Sequence, residues 1–303
     1  MFFRNLTFYR FARSLNLSEL DAGIAECMLK PVGGLELQSR GFVSPFGRGE
    51  GEDLSRRIDD AIWIATGSEH KILPGAAVND LLQKKLAEIE EKEGRKLGGR
   101  ARKLLKEQLV HELLPRALVK PGRTDALVDV RNGFIAIDTS SRKIAEAVVS
   151  DVRYALGSFP ALPLNAEVAP RSILTGWLAG DPLPAGLSLG DECVLRDPTD
   201  SGAAVRCTHQ ELQGDEIAKH LEAGKQVTRL ALTLDDHLSF VLGEDLVIRK
   251  LKFLDGAMDQ LESSDRDDMR AELDARFALL SAEVRRLFLV LQPVLKLSEV
   301  ANV

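Results

Sequence analysis

The chain has 303 residues, 45% hydrophobic and 28% charged, a balance that buries real cores and excludes an intrinsically disordered protein. Its 40 Lys and Arg against 46 Asp and Glu give a net charge of −6, an average that by itself argues against polyanion partners. No apolar run approaches the roughly 18 residues of a membrane span, and MFFRNLTFYRF at the start carries Arg4 and Arg10 within its apolar run and lacks the small-residue cleavage site of a secretory signal.

In chain order, residues 2–11 read as a strand with Leu6 and Phe8 on one face. Ser18 caps a helix with Leu20, Ile24 and Met28 on one stripe. PVGGLE breaks it, and GFVSPFGRGEGED reads as a loop from its Gly and Pro. AIWIATGSE (61–69) is a strand running into a turn, and KILP (71–74) ends the first sheet segment. From Ala76 the period changes to three or four residues, through Val78, Leu81, Leu82, Leu86 and Ile89. Gly98-Gly99 interrupts it, and a second stripe follows in Ala101, Leu105, Leu109 and Leu113, closed by Pro115. Two helices joined at Gly-Gly predict an αα-hairpin.

Strands return in ALVDVRNGFIAIDTS, where Asn132-Gly133 is the strongest hairpin signal in the chain. A helix follows from Ser140 to about Leu156, with Ile144, Val148 and Val152 aligned. The Pro-rich GSFPALPLNAEVAP reads as a connection, and a short helix over 171–179 carries Trp177. LSLGDECVLRD and GAAVRCTHQEL are strand-like, and DEIAKHLEAGK is a helix stopped at Gly224. QVTRLALTL, HLSFVLG and LVIRKLKFL have the spacing of an antiparallel meander. A last helix, with Ser264 and Asp267 as a capping box, keeps Met269, Leu273, Phe277, Leu280, Val284, Leu287 and Leu291 on one face up to Pro293. The order predicts an α+β fold with mixed or antiparallel sheets and a protruding αα-hairpin. It divides into a central domain (1–75 and 116–165), a helical finger (76–115) and a second α+β domain (166–303).

Catalytic chemistry leaves little trace. Gly224-Lys225 lacks the first glycine and the Ser/Thr of a phosphate loop. No G-x-S-x-G occurs, and His70, His111, His209, His220 and His237 form no ligand pair. Cys27, Cys193 and Cys207 are odd in number, far apart in sequence and free of C-x-x-C spacing. They read as small apolar side chains in a reducing cytoplasm rather than as a disulfide framework or zinc site. One enzyme is worth weighing, a magnesium-dependent nuclease using Asp129, Asp138, Asp235 or Asp236 at strand ends. Asp is also an ordinary turn and cap residue, and that reading is preferred. No catalytic residue, metal or cofactor is expected.

The charge distribution is more informative than its sum. Residues 84–123 carry a net +6 and the rest of the chain −12. The excess centres on RKLGGRARKLLK, where Arg95, Lys96, Arg100, Arg102, Lys103 and Lys106 occur without an acid. A solvated helix face mixes signs at i,i+4, as KKLAEIEEKE does just before it. Uncompensated like charges at a hairpin tip point to a polyanion, with phosphate backbone the commonest. Aromatics for base stacking are absent nearby, and no sequence-reading motif occurs. The opposite pole is the stretch 255–274, with eight Asp or Glu and two Arg. It reads as a solvated face at a helix start, or as a surface that repels DNA or meets another subunit's basic hairpin.

MFFRNLTFYRF, KILP, HELLPRAL (111–118), LGSFPALPL (156–164), EIAKHLEAGKQVTRLAL (216–232) and RKLKF (249–253) together resemble the recombination-associated protein RdgC family, in order over nearly the whole chain. The resemblance implies a cytoplasmic, nucleoid-associated protein that forms a ring-shaped homodimer around duplex DNA. It implies binding with little sequence preference, weaker binding to single strands, and restraint of RecA-promoted strand exchange. It makes the finger cations, with Arg116, Lys120, Lys225 and Arg229, the expected DNA contacts, and places Leu114 and Leu118 at a subunit contact. Relatives in this family can carry an aromatic at Leu118, and more basic residues at His209 and Gln210. An interaction module for an acidic protein is the remaining alternative.

Overall fold

The structure, a computed structural model, describes residues 2–47, 53–94, 96–199, 202–259, 261 and 269–298. The elements begin with β1 (Thr7–Arg10), α1 (Leu20–Glu26), β2 (Gln38–Val43), β3 (Ser55–Ile58), β4 (Ala61–Ile72), α2 (Gly75–Glu93) and α3 (Gly99–Leu113). A 3-10 turn, Leu114–Arg116, leads to β5 (Leu118–Asp129), β6 (Phe134–Ile137), α4 (Arg142–Leu156), β7 (Leu162–Pro163) and α5 (Pro170–Ala179). The last third holds β8 (Leu187–Arg196), β9 (Ala204–Thr208), α6 (Asp215–Glu222), β10 (Gln226–Leu234), β11 (Leu238–Gly243), β12 (Ile248–Phe253), α7 (Asp255–Met258) and α8 (Met269–Val294). Two units result, Met1–Glu26 with Ser44–Ala65 and Thr124–Val303, and Cys27–Val43 with Thr66–Arg123. None of the helices, among the described residues, is long and apolar enough to cross a membrane.

In the first unit one sheet runs β7-β1-β6-β5-β4, with β3 on β4, and a second runs β12-β11-β10-β8-β9. β1 and β6 are buried along their whole length; β6, FIAI, is accordingly apolar throughout, whereas β1, TFYR, buries Thr7 and Arg10. Phe8, Trp63 and Phe134 of the first sheet join Phe277, Leu280, Val284, Leu287 and Phe288 of α8 and Leu230, Leu232, Phe240 and Leu242 of the second sheet in one core. Phe134 stacks on Phe288 with centroids 4.4 Å apart, and Trp63 on Phe277 at 5.3 Å.

The long helix, the β10–β12 meander and the β5–β6 hairpin form as the patterns predict. The hairpin's register pairs Asp129 with Phe134, so Asn132-Gly133 ends a four-residue loop rather than filling a two-residue turn. Several details differ. Met28 leaves the helix and bridges Phe42 with its side chain half-exposed, while Leu20 and Ile24 are buried as expected. Asn16 Oδ1, not Ser18, supplies the side-chain bond ahead of α1, accepting the Ser18 N–H at 2.9 Å. Ile144 faces outward on α4, and Ala145, Val148, Val149 and Val152 form the buried stripe. The Pro-rich connection contributes an edge strand, β7, paired with β1. The Ser264–Asp267 capping box lies outside the described residues. In the acidic stretch 255–274, Asp274 accepts two bonds from Arg56, at 2.9 and 2.6 Å, and is tied rather than free.

Part of the GFVSPFGRGEGED segment is strand, not loop: β2 extends to Val43. A Cβ on Gly41 would sit 2.5 Å from the Leu29 nitrogen, so the glycine permits a close backbone approach rather than a turn. Gly23 plays the same part between α1 and α4, where a Cβ would meet the Ala155 carbonyl oxygen at 2.0 Å. Gly23→Ala is therefore expected to force the helices apart and destabilise the first unit by about 1–3 kcal/mol. A lowered urea midpoint with an unchanged m-value checks this.

Cys193 and Cys207, remote in sequence, are direct cross-strand partners on β8 and β9, both buried as free thiols; Cys27 is half-buried. Burial, with Cys207 beside it, pushes the Cys193 thiol up to about 12. A thiol so rarely ionised is a weak nucleophile, in keeping with an apolar packing role.

Candidate nucleic-acid interface

The basic hairpin belongs to the second unit. α2 follows Pro74, whose fixed φ suits the residue ahead of a helix, and ends at Gly94 in the left-handed region, φ 66°. The Gly94 N–H closes on Glu90 O at 2.9 Å. α3 begins after Gly98 and passes through the 3-10 turn into β5. Val78, Leu82 and Leu109 are buried, with Leu114 at the exit of α3. Lys85 and Glu112 clasp the two helices at 2.9 Å. Further out the seam thins to half-buried Leu86, Ile89 and Leu105, and at the base itself Leu113 is half-buried and Leu81 exposed. The predicted apolar stripe is thus only partly buried.

At that tip the expected cations, among the described residues, face solvent. Lys96, Arg100, Arg102, Lys103 and Lys106 are exposed, as are Arg116 and Lys120; Arg95 lies outside the described residues. Lys96 Nζ is 3.6 Å from Glu90 Oε1. Arg102 Nε donates to Leu97 O at 2.9 Å and so closes the turn. Arg100, Lys103 and Lys106 have no acid partner among the described residues. The first turn of α3 contains no acid and holds Arg100, at the positive end of the helix dipole, with Lys103 in the next turn and Lys106 at mid-helix. An exposed cation in that first turn disfavours the helix, by about 0.3–1 kcal/mol. Neither the dipole nor an ion pair therefore explains the three cations. Gly98 and Gly99 are not demanded by packing either, since a Cβ at each would meet nothing within 4 Å. They leave the first N–H groups of α3 uncovered, which suits an anion approaching the backbone.

The other expected contacts are elsewhere. Lys225 and Arg229 lie in the first unit, at the start of β10 and on it. Leu118 is 77% exposed at the start of β5, next to the half-exposed Val119, whereas Leu114 is buried in its own unit. His209, at the end of β9, is exposed and pairs with Asp191 at 3.0 Å. Arg229 lies opposite Val194 and Gly243, and this register groups it with basic residues of other strands that the sequence reading did not single out.

The four candidate carboxylates of a nuclease are not gathered. Asp129 accepts Arg285 Nε–H at 2.6 Å and the Asn132 N–H at 2.8 Å. Asp138 Oδ1 accepts the backbone N–H of Arg4 and of Asn5, both at 2.9 Å. Burial pushes the Asp138 carboxyl above its usual range, and these two bonds only partly offset it. Asp235 pairs with Arg286, and the Asp236 carbonyl accepts the Gly256 N–H at 3.1 Å. Among the described residues, no three His, Cys, Asp or Glu side chains are placed so as to hold a metal ion.

The family model described as "RdgC: Putative exonuclease, RdgC" matches residues 1–298. A protein of Xanthomonas campestris pv. campestris (strain B100) named "Recombination-associated protein RdgC" is 68% identical over 299 residues, 99% of each chain. Proteins of the same name from Xanthomonas axonopodis pv. citri (strain 306) and Stenotrophomonas maltophilia (strain R551-3) are 68% and 64% identical, again over 99% of each chain.

Proposed function

The chain belongs to the RdgC family, and from that premise we propose that it binds double-stranded DNA without reading its sequence, by gripping phosphates with the finger formed by residues 76–115. The observation that carries this is the first half of α3, where Arg100, Lys103 and Lys106 stand exposed with no acid partner among the described residues, Arg100 of them against the helix dipole. Such an arrangement is relieved by an external polyanion. Arg95, Lys96, Arg102, Arg116, Lys120, Lys225 and Arg229 add to the contact. Single strands bind more weakly, because no aromatic platform accompanies the cations. Two copies close into a ring around the duplex, with the exposed Leu118 and Val119 at one joint. By occupying duplex the protein restrains RecA-promoted strand exchange, from a cytoplasmic, nucleoid-associated position. It turns nothing over.

The test is fluorescence anisotropy of labelled 30-base-pair duplexes of unrelated sequence, titrated at stepped salt, with the mass of free protein and complex measured in parallel. Near-equal affinities that fall steeply with salt, and a dimer on DNA, are expected. No affinity even near zero ionic strength overturns the reading. The family description's word "exonuclease" favours a second reading, metal-dependent cleavage. End-labelled linear DNA incubated with Mg²⁺ or Mn²⁺ decides between them. Shortening that disappears with Asp129→Asn or Asp138→Asn would establish an enzyme.

A further inference from the structure

The five-stranded sheet of the first unit presents one face to the core and one to solvent. Cross-strand register identifies what the outer face carries. Gly243, Arg229, Val194 and Arg206 form a single row across β11, β10, β8 and β9. Alternation adds Arg196, two residues beyond Val194 and opposite Ala204, and Lys252, opposite Ser239 on β11. The intervening Cys193, Cys207, Leu230 and Leu242 point inward. Arg196, Arg206, Arg229 and Lys252 are all exposed. Among the described residues, Arg196, Arg229 and Lys252 have no acid partner.

One carboxylate on this face is unusual. Glu192 is two residues before Val194, and its side chain is only 13% exposed. Its Oε1 accepts Arg206 Nη2–H at 3.2 Å, and its Oε2 accepts Lys250 Nζ–H. Lys250 sits at the irregular step of β12, with φ 53°. β11 and β10 lie between β12 and β8, so this ion pair spans two intervening strands. Val241 and Ala231 on those strands are buried although they belong to the outer face. Burial pushes the Glu192 carboxyl up, but Lys250 and Arg206 outweigh it and leave it below the ordinary range. A charged carboxylate held between an ammonium and a guanidinium has the recognition chemistry of a bound phosphate.

We propose that the outer face of this sheet is a second contact surface for the nucleic-acid phosphate backbone, and that Glu192 is a built-in phosphate mimic that occupies two of its cations. The inference rests on the DNA-binding reading above and extends it, in the first unit, from Lys225 and Arg229 to a whole sheet face. The face suits a backbone rather than bases. Its small residues, Gly243, Ala204 and Ser239, let a rod approach closely, and no aromatic side chain falls in the rows just traced. Arg196, Arg229 and Lys252 are free to meet phosphates at once. Lys250 and Arg206 engage only as phosphates replace Glu192.

The experiment compares salt dependence of 30-base-pair duplex binding for four proteins: wild type, Arg196→Ala/Arg229→Ala/Lys252→Ala, Glu192→Gln, and a finger variant, Arg100→Ala/Lys103→Ala/Lys106→Ala. At roughly 0.9 per phosphate, the sheet triple is expected to lose up to about 2.7 from the log–log slope and Glu192→Gln to gain up to about 1.8. A merely structural Glu192 would not steepen the slope on losing its charge. Should Glu192→Gln fold poorly, Arg229→Ala/Lys252→Ala is the second variant and should lose up to about 1.8. A slope unchanged in the sheet variants but lowered in the finger variant overturns this inference and leaves the finger reading standing. No duplex binding by the wild type overturns both. Competition by polyglutamate as strong as by duplex assigns the face to an acidic protein and likewise overturns it.

Discussion

Replacing Arg100, Lys103 and Lys106 together with Ala should weaken duplex binding about a hundredfold near physiological salt, equally for every sequence. The estimate takes one phosphate per side chain. Three lost contacts lower the log–log slope by about 2.7, and near 0.15 M salt that amounts to about two decades of affinity. Sequence independence follows because phosphates position a protein without specifying a base. The same substitutions should not unfold the hairpin. These residues have no acid partner among the described residues, and Arg100 stands at the positive end of α3. Ala is also the best helix former. Far-UV circular dichroism is therefore expected to be unchanged or slightly stronger, and the thermal midpoint level or slightly raised. Loss of DNA binding accompanied by loss of helix would instead mean that these cations hold the finger together. A triple variant with full affinity would remove the finger from the DNA contact.

The sequence makes the hairpin visible because everything that defines it is local. The period of apolar residues, the Gly-Gly break and the run of cations all fall within about forty consecutive positions. Features that depend on remote partners are invisible in the same way. β2 is hidden because Gly41 serves a close approach to Cys27 and Leu29, where a Gly in isolation reads as a loop. β5 starts eight residues earlier than its apolar run, through Pro121-Gly122, since a Cβ on Gly122 would meet Ser68 Oγ at 2.6 Å. Met28 and Ile144 fit a helical stripe by count, yet pairing with β2 removes one and a shift of helical phase exposes the other. The basic face of the second sheet is the clearest case. Its members lie between residues 196 and 252, and register steps at Val227/Arg229, Leu230/Leu232 and Ser239/Val241 decide which of them share a side. A one-residue slip would send each to the opposite face. Lys225 and Arg229 were legible only by resemblance, and register then gives Arg229 its neighbours.

Global acidity and local basicity are compatible on this arrangement. Some acids of the first unit are tied: Asp274 to Arg56, Asp245 to Arg249, Glu244 to Arg171 and Asp21 to Arg57. Paired charges contribute little field at a distance, whereas unpaired cations at the finger and on the sheet face contribute most of theirs. A net charge of −6 is thus a weak guide to what the molecule attracts.

Arg285→Ala should be among the most damaging single substitutions in the first unit, at about 3–5 kcal/mol. Asp129 has only 1% of its side chain exposed, and Arg285 Nε–H is its charged partner. Removing the guanidinium strands a buried carboxylate with Asn132 alone, and the penalty is that of an uncompensated buried charge. Set against a typical stability of about 5–15 kcal/mol, such a loss is visible as a large fall in urea midpoint. Asp129→Asn should cost less, since the amide oxygen still accepts the Asn132 N–H and Arg285, a quarter exposed, recovers water. The double variant Asp129→Ala/Arg285→Ala should then lie closer to wild type than the single costs together imply, a favourable coupling measured by the cycle. Asp138 should behave in the opposite way. Its folded carboxyl holds a proton to higher pH than the unfolded one, so its contribution favours the folded state at low pH and is lost as pH rises through the folded pKa. Asp138→Asn keeps an oxygen for the Arg4 and Asn5 N–H groups and removes the desolvated charge. It should be neutral or stabilising at pH 7 and flatten that part of the pH–stability curve. Both substitutions also bear on catalysis. If either abolishes divalent-dependent shortening of DNA in a protein whose urea midpoint has not moved, the carboxylate does chemistry and the purely structural assignment is wrong.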